Sequence, residues 1–159
     1  MTVPPGYGRS SRNSGCPAFE VVLKRGSSVE SIHRVHAVVC DSKGRILMKA
    51  GRPDHETFVR SALKPFQALP ALSSGASGSY DFGDRGLAIC CSSHAGTAEH
   101  AREAFRVLWN AQLETDSLQC PIPAWGHSPL EHNCSGKHAA FLATSRKMGW
   151  PLESYLQGD

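Results

Sequence analysis

The first stretch of this chain able to do chemistry is Arg60-Ser61-Ala62-Leu63-Lys64-Pro65-Phe66. Positions i and i+3 of a helix share a face, so the Lys64 amine can reach the Ser61 hydroxyl. A serine hydroxyl is a weak nucleophile until a neighbour takes its proton. A lysine does so only where burial or a nearby cation lowers its pKa. Pro65 constrains the geometry, because it disfavours helical backbone at Lys64 and has no N–H to give the Ser61 carbonyl. The turn carrying the serine must therefore be irregular, or the regular helix must begin after it.

Two further segments join it. Cys91-Ser92-Ser93-His94-Ala95-Gly96 leaves a predicted strand and enters a predicted helix, where backbone N–H groups are free to meet a ligand. The same residues also read simply as a capped turn. His132-Asn133-Cys134-Ser135-Gly136-Lys137-His138 packs two histidines, a thiol and an amine into the start of a helix. A helix N-terminus lowers a thiol's pKa, and thiolate with imidazole is zinc-like ligation. Cys120 and His127 are further candidate ligands, at a spacing that matches no zinc-finger pattern. A buried structural thiol at Cys134 accounts for the residues equally well.

The elements that must carry these groups follow from pattern. Residues 1–17 are rich in Gly, Pro, Ser and Arg without apolar period and read as a flexible tail. Phe19 to Leu23, Arg34 to Asp41 and Arg45 to Met48 are β-rich, with Gly26 and Gly44 at turns, which predicts a three-stranded antiparallel meander. Helical spacing follows Ser61 through Phe66, Leu69 and Leu72 and stops at Ser73-Ser74-Gly75. Leu87 to Cys91 reads as a short buried strand with Cys90 and Cys91 on opposite faces. Thr97 can cap an amphipathic helix whose face comprises Ala101, Ala104, Phe105, Leu108 and Trp109. Residues 119–133, with Pro121, Pro123, Gly126 and Pro129, form an irregular loop, and Lys137 to Met148 is a helix. Strands followed by helices predict an α+β fold, an antiparallel sheet with packed helices.

Bulk properties exclude several classes. At 159 residues and 40% hydrophobic content the chain is of globular composition, and a formal charge of +3 leaves no dense basic stripe for nucleic acid. No apolar run is long enough to span a membrane, and the first residues lack a basic and then apolar leader, which points to the cytoplasm. Six cysteines in a reducing compartment read as thiols or ligands rather than disulfides.

Three segments together resemble the rhizobial-type L-asparaginase II family: Ser61 to Pro70 (SALKPFQALP), Ser92-Ser93-His94, and Asn133 to His138 (NCSGKH), in the family's order and approximate spacing. His36-Ala37-Val38-Val39 and Gly149-Trp150-Pro151 add to the likeness, which covers roughly residues 18 to 159. The resemblance implies hydrolysis of L-asparagine to aspartate and ammonia on a fold similar to serine β-lactamases and glutaminases, which also use Ser-x-x-Lys. It implies Ser61 as nucleophile, Lys64 as base and Ser93 as a second catalytic serine paired with a lysine further along. Cys134 and Lys137 match family metal ligands, with zinc the implied metal and another cysteine completing the set. Arg60 and His138 match substrate contacts, Arg60 being suited to grip an α-carboxylate bidentately. A homodimer with no nucleic-acid or membrane partner is implied for the full-length protein.

The chain departs from the family in having Ser93-His94-Ala95-Gly96-Thr97 where members often have Ser-His-Ser-Gly-Glu. The family pattern also continues past Asp159. The chain is therefore expected to be the N-terminal portion of an incomplete domain, inactive alone. Other readings are another Ser-x-x-Lys amidohydrolase and a non-catalytic zinc module built on Cys120, His127, Cys134 and His138.

Overall fold

β-Branched runs and paired glycine turns make the first part of the molecule two hairpins. The computed structural model describes residues 16–157, so the tail expected over residues 1–17 lies outside the described residues except for Cys16 and Pro17. Cys16 is already hydrogen-bonded, its carbonyl accepting from the Gly51 N–H at 2.8 Å. The chain divides after Phe58 into two compact units.

In the first unit, β1 (Phe19–Arg25) pairs antiparallel with β2 (Ser28–Val35), Phe19 opposite Val35 and Val22 opposite Ile32. A two-residue turn joins them, with Gly26 at φ 63°, the left-handed backbone such turns demand. β3 (Ala37–Cys40) pairs antiparallel with β4 (Ile46–Ala50) around a turn closed by Asp41. The Asp41 carboxylate accepts from the N–H groups of Lys43 and Arg45 and, at 2.6 Å, from the Arg45 guanidinium. These bonds from Arg45 hold its pKa below the usual carboxylate range.

The expected three-stranded meander is thus corrected to two separate two-stranded sheets. β2 is rich in Ser, Glu, His and Arg and carries little apolar signal, so the partner of β1 escapes a hydrophobicity reading. The run from Arg34 to Asp41 looks continuous but breaks at His36. Its ring Nδ1 accepts from the Arg52 N–H at 3.0 Å, and a Cβ on Gly51 would lie 2.2 Å from that same nitrogen.

The second unit is helical. A 3₁₀ turn over Arg60–Leu63 leads into three short helices, α1 (Lys64–Gln67), α2 (Leu69–Ser73) and α3 (Ala76–Ser79). Its core is the packing of α4 (Gly83–Cys91), α5 (Ala98–Asn110) and α6 (Ser135–Met148) through Phe82, Ile89, Val107, Leu108 and Leu142, all buried.

The strand expected at Leu87–Cys91 is instead the end of α4. A five-residue apolar run does not distinguish a buried strand from a buried helix, and the pattern that does, Gly86, Ile89 and Cys90 buried at helical spacing, begins upstream at a glycine. Cys90 is buried and Cys91 half-buried, so they are neighbours on a helix, not on opposite faces of a strand.

Thr97 caps α5 as expected, its hydroxyl accepting from the His100 N–H. The buried face is Ala104, Val107 and Leu108, however, while Phe105 and Trp109 stay exposed and pack on each other at 5.8 Å. α6 starts two residues earlier than the periodicity indicated and ends at Gly149 with Arg146 and Lys147 in its last turn, favourable for the helix dipole. The loop at 119–133 is irregular as expected, with one 3₁₀ turn at Pro129–Glu131. The whole is α+β with small antiparallel sheets and packed helices.

Close contact at the start of α6 is decisive for the packing, because a Cβ on Gly136 would fall 2.3 Å from the Ile89 carbonyl oxygen. Backbone cannot yield there as a flexible side chain would. Gly136→Ala should therefore destabilise by about 1–3 kcal/mol. Gly78→Ala in α3, where nothing lies within 4 Å, should be neutral or stabilising by roughly 0.5–1 kcal/mol. Urea unfolding of the two variants checks the pair, and equal midpoints would contradict the packing at Ile89.

Candidate active site around Ser61, Lys64 and Ser93

Ser61 sits on the 3₁₀ turn and not on a regular helix, as Pro65 required. The Lys64 N–H bonds to the Ser61 carbonyl, the i to i+3 bond of a 3₁₀ turn. Pro65 falls in the first turn of α1, where its missing N–H costs nothing. Arg60, just before the serine, has φ 52°, a left-handed conformation unusual for a residue with a side chain. Such backbone stores on the order of 1–3 kcal/mol and persists only where its surroundings hold it.

Lys64 is buried to 1% exposure. Its amine donates to the Ser92 carbonyl at 2.7 Å and the Asn133 carbonyl at 2.9 Å. All three segments singled out from the sequence therefore meet at one side chain. The Ser61 hydroxyl lies 3.5 Å from the Ser93 hydroxyl as a long donor, and the Asn133 side-chain amide donates to the same Ser93 oxygen at 3.1 Å. Among the described residues the Ser61 hydroxyl is bonded to Ser93, not to the Lys64 amine. Asn133 and the Ser92 carbonyl belong to this hydrogen-bond cluster, and the sequence alone did not assign either to it. Asn133 stood in the quoted run without a role, and a backbone carbonyl leaves no mark in a sequence.

His94 braces the Ser93 loop. Its Nδ1 accepts from the Gly96 N–H at 3.1 Å, so the proton resides on Nε2, which donates to the Ser135 hydroxyl at 3.0 Å. Ser135 in turn donates to the Leu130 carbonyl at 2.8 Å. Burial, with help from His100, Lys64 and His132, pushes the His94 pKa down to about 4. Of the two departures from the family here, Ala95 and Thr97, the second has a local use, while the shared Gly96 is needed for space. Thr97 caps α5, and a Cβ on Gly96 would lie 2.2 Å from the Glu131 carbonyl oxygen.

At the other end of the site His138 is buried, and its Nδ1 is 2.7 Å from the Tyr155 hydroxyl. That hydroxyl accepts from the Gln119 N–H at 2.9 Å, so it donates to His138 and leaves Nε2 carrying the imidazole proton. Burial, then Lys137, His132 and Lys64, hold its pKa at about 4. Arg60 is exposed, and among the described residues none of the hydrogen bonds that join Ser61, Lys64 and Ser93 comes from it. Cys134 is the half-buried N-cap of α6, and the Lys137 amine sits 5.7 Å over the Phe141 ring.

The four-residue zinc module is not assembled. Among the described residues no three His, Cys, Asp or Glu side chains converge on a common point. Cys120, its pKa pushed up to about 11 by burial, bonds through sulfur to the Pro129 carbonyl instead.

The two buried histidines generate a pH prediction. Each is neutral in the fold with a pKa depressed from 6.5 to about 4, so the stability it contributes is complete above pH about 6.5. It is lost as pH falls through about 4, by roughly 3 kcal/mol at most for each ring. Urea midpoints should fall steadily from neutral pH to pH about 4, and His94→Gln should flatten part of the slope. A midpoint independent of pH over that range would show that the rings are not held neutral.

Comparison with known proteins agrees with the motifs. Curated proteins yield no match to the chain. The family model described as L-asparaginase II matches residues 21–159, and the chain belongs to that family of asparaginase-type amidohydrolases.

Proposed function

We propose that the site hydrolyses the side-chain amide of L-asparagine, giving L-aspartate and ammonia through an ester on Ser61. The observation that carries this reading is the convergence on the buried Lys64 amine of the Ser93 loop and Asn133, with the two serine hydroxyls 3.5 Å apart. A neutral amine has two hydrogens and one lone pair. With both hydrogens committed to carbonyls, the lone pair is left to accept a proton.

In the proposed sequence the Ser61 oxygen attacks the amide carbon and its proton passes to the base. That proton is returned to the leaving nitrogen as the C–N bond breaks and ammonia departs. Water then attacks the ester carbon, its proton is taken by the same base, and aspartate leaves as Ser61 regains its hydrogen. Ser93 receives a hydrogen bond from Asn133 and is placed to relay a proton to or from Ser61. Arg60 is assigned to the substrate α-carboxylate, and the Nε2–H of His138 to a substrate oxygen.

Cys134 and Lys137, one turn apart on α6, would hold a zinc ion. A thiolate at a helix N-terminus and an amine suit that soft divalent metal. Bound there, zinc would supply positive charge beside the substrate site.

Ammonia release should be measured on the chain and on the chain extended by a family C-terminal half, with asparagine and glutamine as substrates. Asparagine should be turned over by the extended protein and Ser61→Ala should cost about 10³-fold or more in kcat. Activity near the parental level in Ser61→Ala would eliminate the nucleophile. Zinc content of the extended protein should drop in Cys134→Ala by elemental analysis, and equal content in the two would remove Cys134 from the ligand set.

A further inference from the structure

Between α4 and α5 runs a groove that the proposed chemistry does not use. One face of α4 contributes Arg85, Ala88 and Ile89 at positions i, i+3 and i+4, and its C-cap Ser92 continues that face, opposite Glu99 and Arg102 of α5. Its volume, about 550 Å³, is of the size that holds small ligands. Not all of its charge is available. Arg106, also in the wall, is committed to Glu103 at 2.5 Å and to the carbonyls of Asp81 and Phe82. That internal pairing neutralises Glu103.

Three charged groups are left: the guanidinium groups of Arg85 and Arg102 and the carboxylate of Glu99. Among the described residues no ion pair or side-chain hydrogen bond engages any of them, and all three are exposed. They stand around a small apolar floor of Ala88 and Ile89. The complement of two guanidinium groups, one carboxylate and a short apolar floor is a ligand with two carboxylates, one ammonium and a short methylene link. Arginine is the better cation for this purpose, since its planar fork meets a carboxylate with two parallel hydrogen bonds.

We propose that the α4–α5 groove is a binding site for a free dicarboxylic amino acid, with Arg85 and Arg102 taking its carboxylates and Glu99 its ammonium. The site is distinct from the serine pair but shares a wall with it. Ser92 lines the groove while its carbonyl holds the Lys64 amine at 2.7 Å. Binding in the groove rests on its own charges and does not require that the serine site be hydrolytic.

Titration calorimetry of the 159-residue chain with L-aspartate tests it, because binding is read without activity. Saturable binding is expected, weakened about tenfold or more by Arg85→Gln and by Arg102→Gln and unchanged by Arg146→Gln on the exposed last turn of α6. Succinate, which lacks the ammonium, should bind about tenfold more weakly, and Glu99→Gln should abolish that preference. The substituted side chains are exposed, and thermal unfolding of each variant verifies an intact fold. Absence of saturable binding, or binding that survives both arginine substitutions, overturns the proposal. So does loss of binding in Arg60→Gln with the groove variants unaffected, which would place the aspartate at the serine site instead. Failure of the hydrolytic reading appears separately, in the ammonia assay.

Discussion

The buried amine of Lys64 is the point on which the helical unit is arranged. A lysine nitrogen withdrawn from water needs hydrogen-bond acceptors, and leaving it without them would cost several kcal/mol. Its acceptors, Ser92 and Asn133, lie 28 and 69 residues further along the chain. Meeting that one requirement therefore fixes the spacing of the serine turn, the end of α4 and the approach to α6. Ser92 is the C-cap of α4, where carbonyls have no partner within the helix. The lysine and the helix end satisfy each other, because the amine donates where the helix has a carbonyl without an internal partner.

That arrangement dictates the state of the surrounding histidines. His94, His132 and His138 all have pKa values lowered first by burial and then by neighbouring positive charge, Lys64 included in each case. A protonated ring there would be a buried positive charge that no carboxylate among the described residues balances. Neutral rings avoid this and still serve as struts, each taking an N–H or O–H on one nitrogen. His94 links the Ser93 loop to Ser135, and His132 accepts the Cys134 N–H at 3.1 Å. Positions flanking the proposed nucleophile and metal ligands are thus held by directional bonds that persist only while the imidazoles remain uncharged.

How much of this was legible beforehand depended on how local the signal was. The irregular turn at Ser61 followed from Pro65, and the cap at Thr97 from residue type, since both are effects within a few positions. Ser61, Lys64 and Ser93 were identified as a group and do come together, whereas Cys120, His127, Cys134 and His138 do not form one centre. α4 was misread because a short apolar run carries no period of its own. β2 was missed because its residues are largely polar and its place is set by pairing with β1. The buried face of α5 was misjudged for a related reason. Phe105 and Trp109 are more apolar than their surroundings, but α4 and α6 contact the side of Ala104, Val107 and Leu108. Hydrophobicity ranks side chains, and the partner helix decides which of them is covered.

The same logic explains why the proposed reactive groups sit at the ends of elements or on short turns. Ser61 is on a 3₁₀ turn after a left-handed Arg60, Ser93 follows the C-cap of α4, and Cys134 precedes the first turn of α6. Backbone at such points has unpaired N–H and carbonyl groups available to side chains, which is what allows Lys64 to find two acceptors at once. The cost is precision, because loops hold groups less rigidly than helices do. Gly136 offsets that cost. Lacking a side chain, it lets the start of α6 press on the Ile89 carbonyl one turn before Ser92, and a methyl group there would force the two apart. Any separation between α4 and α6 would open the distance between the Ser92 and Asn133 carbonyls, and the Lys64 amine can bridge them only while that contact is kept.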